Sequence, residues 1–348
     1  MKHTKTNCKV LSALLAAALL LPMAGCGADK AETTVSALGA DVAVTVYGKG
    51  ADKAAADAAG VFKALHSMLD ESSASSALYA LNNAAGQSVV VPGQIVDMLN
   101  AMKTVYDQTD GALDPTVEPL LELWGFSDGH YVKPTDEDID NTRTLLCFDK
   151  VKIETFAESG TYTVTMPAGA KLTFDAAARG CAGNYAMQAL KNDGVTAGIV
   201  STANFVQTLG AKPDGSQWNV SIADPDNPDG SIGYLAVGET AVATSGGYTQ
   251  SFTYSDGETY SHILDPATGY PAKTDLKSVT VLCDSGLTAD CLSTALYILG
   301  QKAALQYWRD NGGFQMLLVT QDNKIVCTSG LMETFNQQNS SYTLSYAK

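Results

Sequence analysis

Guanidinium groups are scarce in this chain: among 348 residues only Arg143, Arg179 and Arg309 carry one. The 22 Lys and Arg stand against 37 Asp and Glu, a formal net charge of −15. Phosphate backbones are bound by clustered Lys and Arg, so the composition speaks against nucleic acid as a partner. An anionic ligand would have to be met by a metal ion, by backbone N–H groups or by one of these few cations. Seven cysteines occur without any CxxC spacing, which argues against a zinc site and a disulfide framework. Cys283 and Cys291 are open to pairing; the others read mostly as small buried apolar residues. Long apolar runs are missing too. Residues 10–21 are almost wholly apolar, yet a spanning helix needs roughly 20 residues, and no later segment comes close.

That short run reads as a leader. Lys2, Lys5 and Lys9 precede it and Met23-Ala24-Gly25-Cys26 follows it, the parts of a secretory signal. Small residues before a cysteine also resemble a bacterial lipobox, whose cysteine becomes the lipidated first residue. The expected division is a lipoprotein signal peptide over 1–25, a lipid-anchored tether over 26–38 and one folded domain over 39–340. Without the three leader lysines, 19 Lys and Arg face 37 Asp and Glu, a balance of −18. Acyl chains on Cys26 would place the protein outside the cytoplasm, anchored to the cell membrane. A plain signal peptide cut nearby is the alternative.

With 45% apolar and 17% charged residues the body has an ordinary globular composition. Alternation predicts a strand over 41–48, and helical spacing predicts helices over 51–70 and 95–107. Residues 128–140, polar and carrying Pro134, read as a surface loop. Strands are expected over 162–166 and 171–174, then a helix over 176–190. Residues 211–233 read as turns around a short strand over 218–222. A strand over 279–283, a helix over 289–299 and a hairpin of 314–320 with 324–328 complete the chain. The fold class is α/β (α+β), mixed sheets packed with helices.

Four segments carry candidate chemistry. In the first, Asp110-Gly111 and Asp114-Pro115 mark tight turns, with Thr116 beyond and then Trp124-Gly125-Phe126. Trp124 and Phe126 either offer a flat face to an aromatic ligand or pack in a core. In the second, Ser245-Gly246-Gly247-Tyr248 allows close backbone approach, and His262 precedes the turn residues Asp265-Pro266 and Thr268-Gly269. His262 is either a base, with Asp265 orienting its ring or taking a ligand hydroxyl, or a structural histidine. In the third, Asp290 and Thr294 are four apart and share a helix face. They suit Mg²⁺, a hard cation that prefers oxygen, or are simply a helix N-terminal acid and a surface hydroxyl. In the fourth, residues 173–180 form a strand-to-helix junction whose backbone, with Arg179, suits a cation or an anion.

In this order the segments resemble the ApbE family of flavin transferases, from about Gly39 to Phe335. The resemblance is carried by Asp110-Gly111 through Phe126, His262-Ile263-Leu264-Asp265-Pro266 through Pro271, residues 289–295, and residues 75–82, which end at Asn82. It implies an ApbE-like fold and Mg²⁺-dependent transfer of FMN from FAD to a Ser or Thr of an exported flavoprotein, with release of AMP. It implies metal contacts from Asp290, Thr294 and the Ala176 carbonyl, and a catalytic His262. The implied cofactor-binding residues are Asn82, Asp114, Thr116, Trp124, Arg179, Gly246, Tyr248 and Asp265. The junction departs from the family pattern: Thr173 stands for an aspartate, Asp175 for a glycine, Arg179 for a lysine and Asn184 for an aspartate. Residues 201–205 replace a glycine-rich turn. An FAD pyrophosphatase yielding FMN and AMP, and a non-catalytic flavin-binding lipoprotein, are the competing readings.

Overall fold

The computed structural model describes residues 29–156 and 161–348, so the leader and Cys26 lie outside the described residues. The chain opens with strands β1 (Lys30–Ala37) and β2 (Ala40–Tyr47), then helices α1 (Ala51–Met68) and α2 (Ala77–Asn82). Strand β3 (Val89–Val91) leads to α3 (Gly93–Gln108), α4 (Glu118–Trp124) and α5 (Asp136–Arg143). Strands β4 (Lys152–Phe156) and β5 (Thr161–Thr165) precede α6 (Ala178–Asn192). Five strands follow: β6 (Ala197–Ser201), β7 (Phe205–Leu209), β8 (Trp218–Asp224), β9 (Asn227–Val237) and β10 (Ala241–Gly246). After the hairpin β11 (Ser251–Thr253) and β12 (Thr259–Ser261) come β13 (Leu276–Cys283) and α7 (Gly286–Asn311). The chain ends with β14 (Gln315–Thr320), β15 (Lys324–Thr328), β16 (Phe335–Gln337) and β17 (Thr343–Ala347).

The expected mixed α/β architecture is present. Nine strands form one sheet in the order β1-β2-β6-β7-β10-β13-β14-β15-β17, antiparallel except for the β15–β17 pair. Its central strands are buried on both faces, which is why they read as near-continuous apolar runs. In β14, Met316 and Leu318 join the core under α1, α3, α6 and α7, while Leu317 and Val319 join a second core on the other face. The small sheet β16-β9-β8 closes that second core with Trp218, Ile222 and Leu235. A third, smaller core gathers Leu120, Trp124, Phe126, Ile139 and Leu264, with Phe252, Tyr260 and Tyr270 packed on it.

Several expectations need correction. Most of the supposed tether is β1, paired along its whole length with β2, its Ala31 and Ala37 buried. The alternation in residues 30–37 is weak because β1 is an edge strand with small residues inward. Residues 171–174 are not a strand; Asn82 takes up the Leu172 backbone. Residues 128–140 include the start of α5, capped by Thr135, whose hydroxyl accepts from Asp138 N–H. The turn-rich stretch 211–233 holds β8 and the start of β9. Helix α7 runs well past residue 299. Gly300 breaks its dihedrals (φ 77°, ψ 171°), and Asp275 Oδ1 accepts from Gln301 N–H to restart it. The five described cysteines are free; Cys283 Sγ donates to the Ser285 carbonyl.

Candidate active site

Helices α6 and α7 cross at their N-termini. A Cβ on Gly180 would lie 2.2 Å from the Gly286 carbonyl oxygen, so only glycine permits this approach. The contact lets Gly180 N–H donate to Asp290 Oδ2 at 2.9 Å. In a regular helix that N–H would reach back to the Ala176 carbonyl. Ala176 stands in a tight turn where Ala177 and Ala178 N–H both donate to the Phe174 carbonyl. Its own carbonyl is spared from the helix ladder. Asp290 is 5% exposed; burial pushes its carboxyl up, while Arg179 and the Gly180 N–H pull it down. The helix N-termini favour the charged form as well.

One turn on, the hydroxyls form a directed chain. Ser293 Oγ donates to the Asp290 carbonyl at 2.9 Å, which uses its only proton. Ser245 Oγ, 2.8 Å away, therefore donates to Ser293, and Thr294 donates across 2.9 Å to Ser245. Thr294 is left with oxygen lone pairs to offer. A carboxylate, an oriented hydroxyl and a spared carbonyl are hard oxygen donors of the kind Mg²⁺ takes. Among the described residues no group of three or more His, Cys, Asp or Glu could hold a metal ion. A cation here would rest on one carboxylate and neutral oxygens.

His262 follows β12. Its backbone N–H donates to the Gln250 carbonyl at 3.1 Å, and its Nδ1 lies 3.1 Å from the same oxygen. Burial holds the ring below its ordinary basicity; the bond to the Gln250 carbonyl and Asp175 raise it, and Arg179 lowers it. The neutral ring with an open Nε2 suits a base near neutral pH.

A cleft of about 150 Å³ opens beside the junction, lined by Leu38, Gly39, His66, Leu69, Glu71, Leu78, Phe174, Asp175, Ala178 and Arg179. Arg179 braces it, donating to the Leu38 carbonyl at 3.4 Å and the Asp175 carbonyl at 3.3 Å. Glu71 and Asp175 set carboxyls in its lining, and the buried Glu118 is close enough to feel both. Partial burial and Asp175 raise Glu71 to about 7. Glu118, 2% exposed, is pushed by burial to about 8 and accepts from Ser127 Oγ at 2.6 Å. A wider depression of about 230 Å³ lies elsewhere, lined by Gln217, Val237, Thr240 and Leu331 among others. It has no titratable side chain, so the cleft is the better candidate.

The structure thus gathers Ala176, Arg179, Asp290, Thr294 and His262 around the junction. It gives others different work. Asn82 spends both ends of its amide on the Leu172 backbone, at 2.8 and 2.9 Å. Asp114 is buried and accepts from Thr116 N–H at 2.7 Å and from its hydroxyl; Thr116 Oγ1 then accepts from Cys147 N–H. Trp124 is fully buried and donates to the Gly269 carbonyl at 2.9 Å, so no face is open to a ring ligand. Asp265 accepts from Ala267 N–H and Thr268 Oγ1, shaping its own turn and not the His262 ring. Gly246 packs inward, since a Cβ there would meet the Tyr248 ring at 2.6 Å; burial raises that phenol to about 12. Ser245, Gln250 and Glu118 were not singled out by sequence. The Asp256-Gly257 hairpin signal, which pairs Gln250 with His262, was the available clue for one of them.

Residues 38–318 match the ApbE family model. The chain belongs to the ApbE family. A Haemophilus influenzae FAD:protein FMN transferase is 25% identical over 336 residues, covering 92% of this chain and 96% of that protein. The Vibrio cholerae FAD:protein FMN transferase is 33% identical over 220 residues, covering 62% and 64%. Among solved structures, the Thermotoga maritima ApbE protein superposes with a TM-score of 0.80 at 28% identity, over 89% of this chain and 100% of that one. Pseudomonas stutzeri flavinyl transferase ApbE, apo form, gives 0.77 at 28%, over 90% and 99%. In this ApbE chain the altered junction residues Asp175 and Arg179 line one cleft.

Proposed function

We propose that this chain is a FAD:protein FMN transferase that takes FAD as substrate and transfers FMN to a Ser or Thr hydroxyl of an exported flavoprotein. The observation that carries the reading is Asp290. Its buried carboxylate is held by Gly180 N–H at the α6–α7 crossing, beside a Thr294 whose lone pairs are left free. Asp290, Thr294 and the Ala176 carbonyl would hold Mg²⁺. When bound, that ion neutralises charge on the pyrophosphate oxygens. Nε2 of His262 takes the proton of the acceptor hydroxyl as its oxygen bonds to the FMN phosphorus. The bond to the bridging oxygen breaks and that oxygen leaves with AMP. Arg179 is the guanidinium at hand for the substrate's negative charge.

The leader and Cys26 support an exported protein held to the cell membrane by lipid. No helix among the described residues is long and apolar enough to cross a membrane.

The deciding experiment incubates the chain with FAD, Mg²⁺ and a flavinylation-type acceptor protein and follows AMP and acceptor mass together. AMP with a covalent FMN adduct is the expected result. AMP with free FMN means a pyrophosphatase, and bound FAD with neither product means a binder.

A further inference from the structure

The histidine assigned as base hangs on a small element. β11 and β12 are three residues each, and a lone hairpin of that size is marginal in water. Their register pairs Ser251 with Ser261 and Thr253 with Thr259, which brings Gln250 opposite His262.

We propose that Gln250 is the positioning residue for His262: its main-chain carbonyl selects the ring tautomer, and its side-chain amide fixes the strand bearing that carbonyl. A carbonyl oxygen only accepts, so the 3.1 Å contact requires the proton on Nδ1 and leaves the lone pair on Nε2. The same oxygen accepts the His262 backbone N–H, so ring and backbone are referenced to one atom. The amide Nε2 of Gln250 donates to the Phe126 carbonyl at 3.3 Å. Phe126 N–H is tied to the Leu121 carbonyl at 2.8 Å, and the Phe126 ring stands edge-on to His262 at 6.4 Å. Gln250 thereby clips the base of the hairpin to the loop after α4, on the side where the ring packs. The charged groups that bear on His262 are Asp175 and Arg179. Both belong to the junction and are untouched by Gln250.

This inference rests on His262 being the base, and two variants separate the two claims. Gln250→Leu keeps bulk and removes the donor. It should lower kcat for transfer roughly tenfold with little change in KM for FAD, because a ring off its geometry loses part of general-base catalysis. Loosening the ring relieves its burial, which lowers its basicity, and weakens its bond to the Gln250 carbonyl, which raises it; burial is the larger, so the acid limb of the kcat–pH profile should move to higher pH. Gln250→Lys, which restores a donor of similar reach, should recover most of the rate. Nitrogen-15 histidine spectra of the wild-type chain, with His262 assigned by its loss in His262→Gln, should show Nδ1–H. An Nε2–H tautomer, or a Gln250→Leu variant with unchanged kcat and pH profile, overturns the proposal. The spectrum decides even if Gln250→Leu fails to fold. Full transfer by His262→Gln instead overturns the base assignment and leaves the tautomer result standing.

Discussion

The two halves of the site are built from unequal material. The Asp290 half lies in the main core, where α6 and α7 cross glycine to glycine and Cys291, Leu292, Ala295 and Leu296 are all buried. The His262 half rests on the small third core and a two-stranded hairpin, whose Phe252 and Tyr260 rings pack on that core and whose Gln250 adds one hydrogen bond to it. Interiors are close-packed and resist displacement, whereas short hairpins yield. The proposed cation half is therefore fixed by the fold itself. The proposed base half is fixed by the packing of two hairpin rings and by a few polar contacts, and removing one of those contacts loosens it without unfolding the protein.

The hardest test of that contrast removes charge from the rigid half. Asp290→Asn keeps the volume and the packing. Mg²⁺-dependent AMP release should fall at least about 10³-fold with no loss of thermal stability, measured by nucleotide chromatography and calorimetry. Activity retained within about tenfold would remove Asp290 from the metal site. On the light half, His262→Gln should lower transfer about 10²- to 10³-fold, the range of a lost general base, while FAD affinity by fluorescence titration stays within about threefold. A parallel loss of FAD affinity would make His262 a structural residue.

Legibility follows the same division. Asp290 and Thr294 could be read as partners because a helix puts residues four apart on one face whatever surrounds them. His262 came from turn chemistry and family resemblance, Ala176 from the resemblance alone, and Asp175 and Arg179 of the junction both bear on His262. Trp124, Asp114, Thr116 and Asp265 make structural contacts that the sequence did not reveal, for one reason. A turn that shapes a site and a turn that touches a ligand use the same residues, and only burial and partners tell them apart. Strand β1 was missed because an edge strand with alanines inward has almost no hydrophobic alternation. Glu118 sits in a short helix where sequence does not reveal burial.

Glu118 gives a smaller but sharper contrast, because it titrates. Its folded-state value of about 8 lies above the ordinary 4.5. A carboxyl raised on folding binds more protons in the native state, so stability falls as pH rises from the ordinary value through about 8. The loss amounts to at most about 4–5 kcal/mol, and Glu71, raised to about 7, adds a slope of the same sign. Glu118→Gln keeps an acceptor for Ser127 Oγ and removes the ionisation. Urea unfolding between pH 5.5 and 9 should show a clearly flatter dependence in the variant, which becomes the more stable form above pH 8. Identical slopes would mean that Glu118 is solvated, and that its surroundings are wetter than their packing indicates.

The smallest expected effect lies inside the rigid half and tests its internal wiring. Ser245 accepts a hydrogen bond from the Thr294 hydroxyl and donates its own to Ser293, so it decides which way the Thr294 lone pairs face. In Ser245→Ala, Ser293 keeps its bond to the Asp290 carbonyl, while Thr294 is free to rotate its proton toward a cation. Part of its hydroxyl population then presents a donor where an acceptor is needed. A neutral hydrogen bond is worth about 1 kcal/mol, so Mg²⁺ affinity by calorimetric titration should weaken about five-fold. Ser245→Thr, which keeps the hydroxyl, should restore it. The folding stability of the alanine variant should change by less than about 1.5 kcal/mol, since one half-buried hydroxyl is lost from an otherwise intact core. Affinity that is unchanged while stability falls would make the hydroxyl chain a packing device, and Thr294 would then owe its orientation to the helix alone.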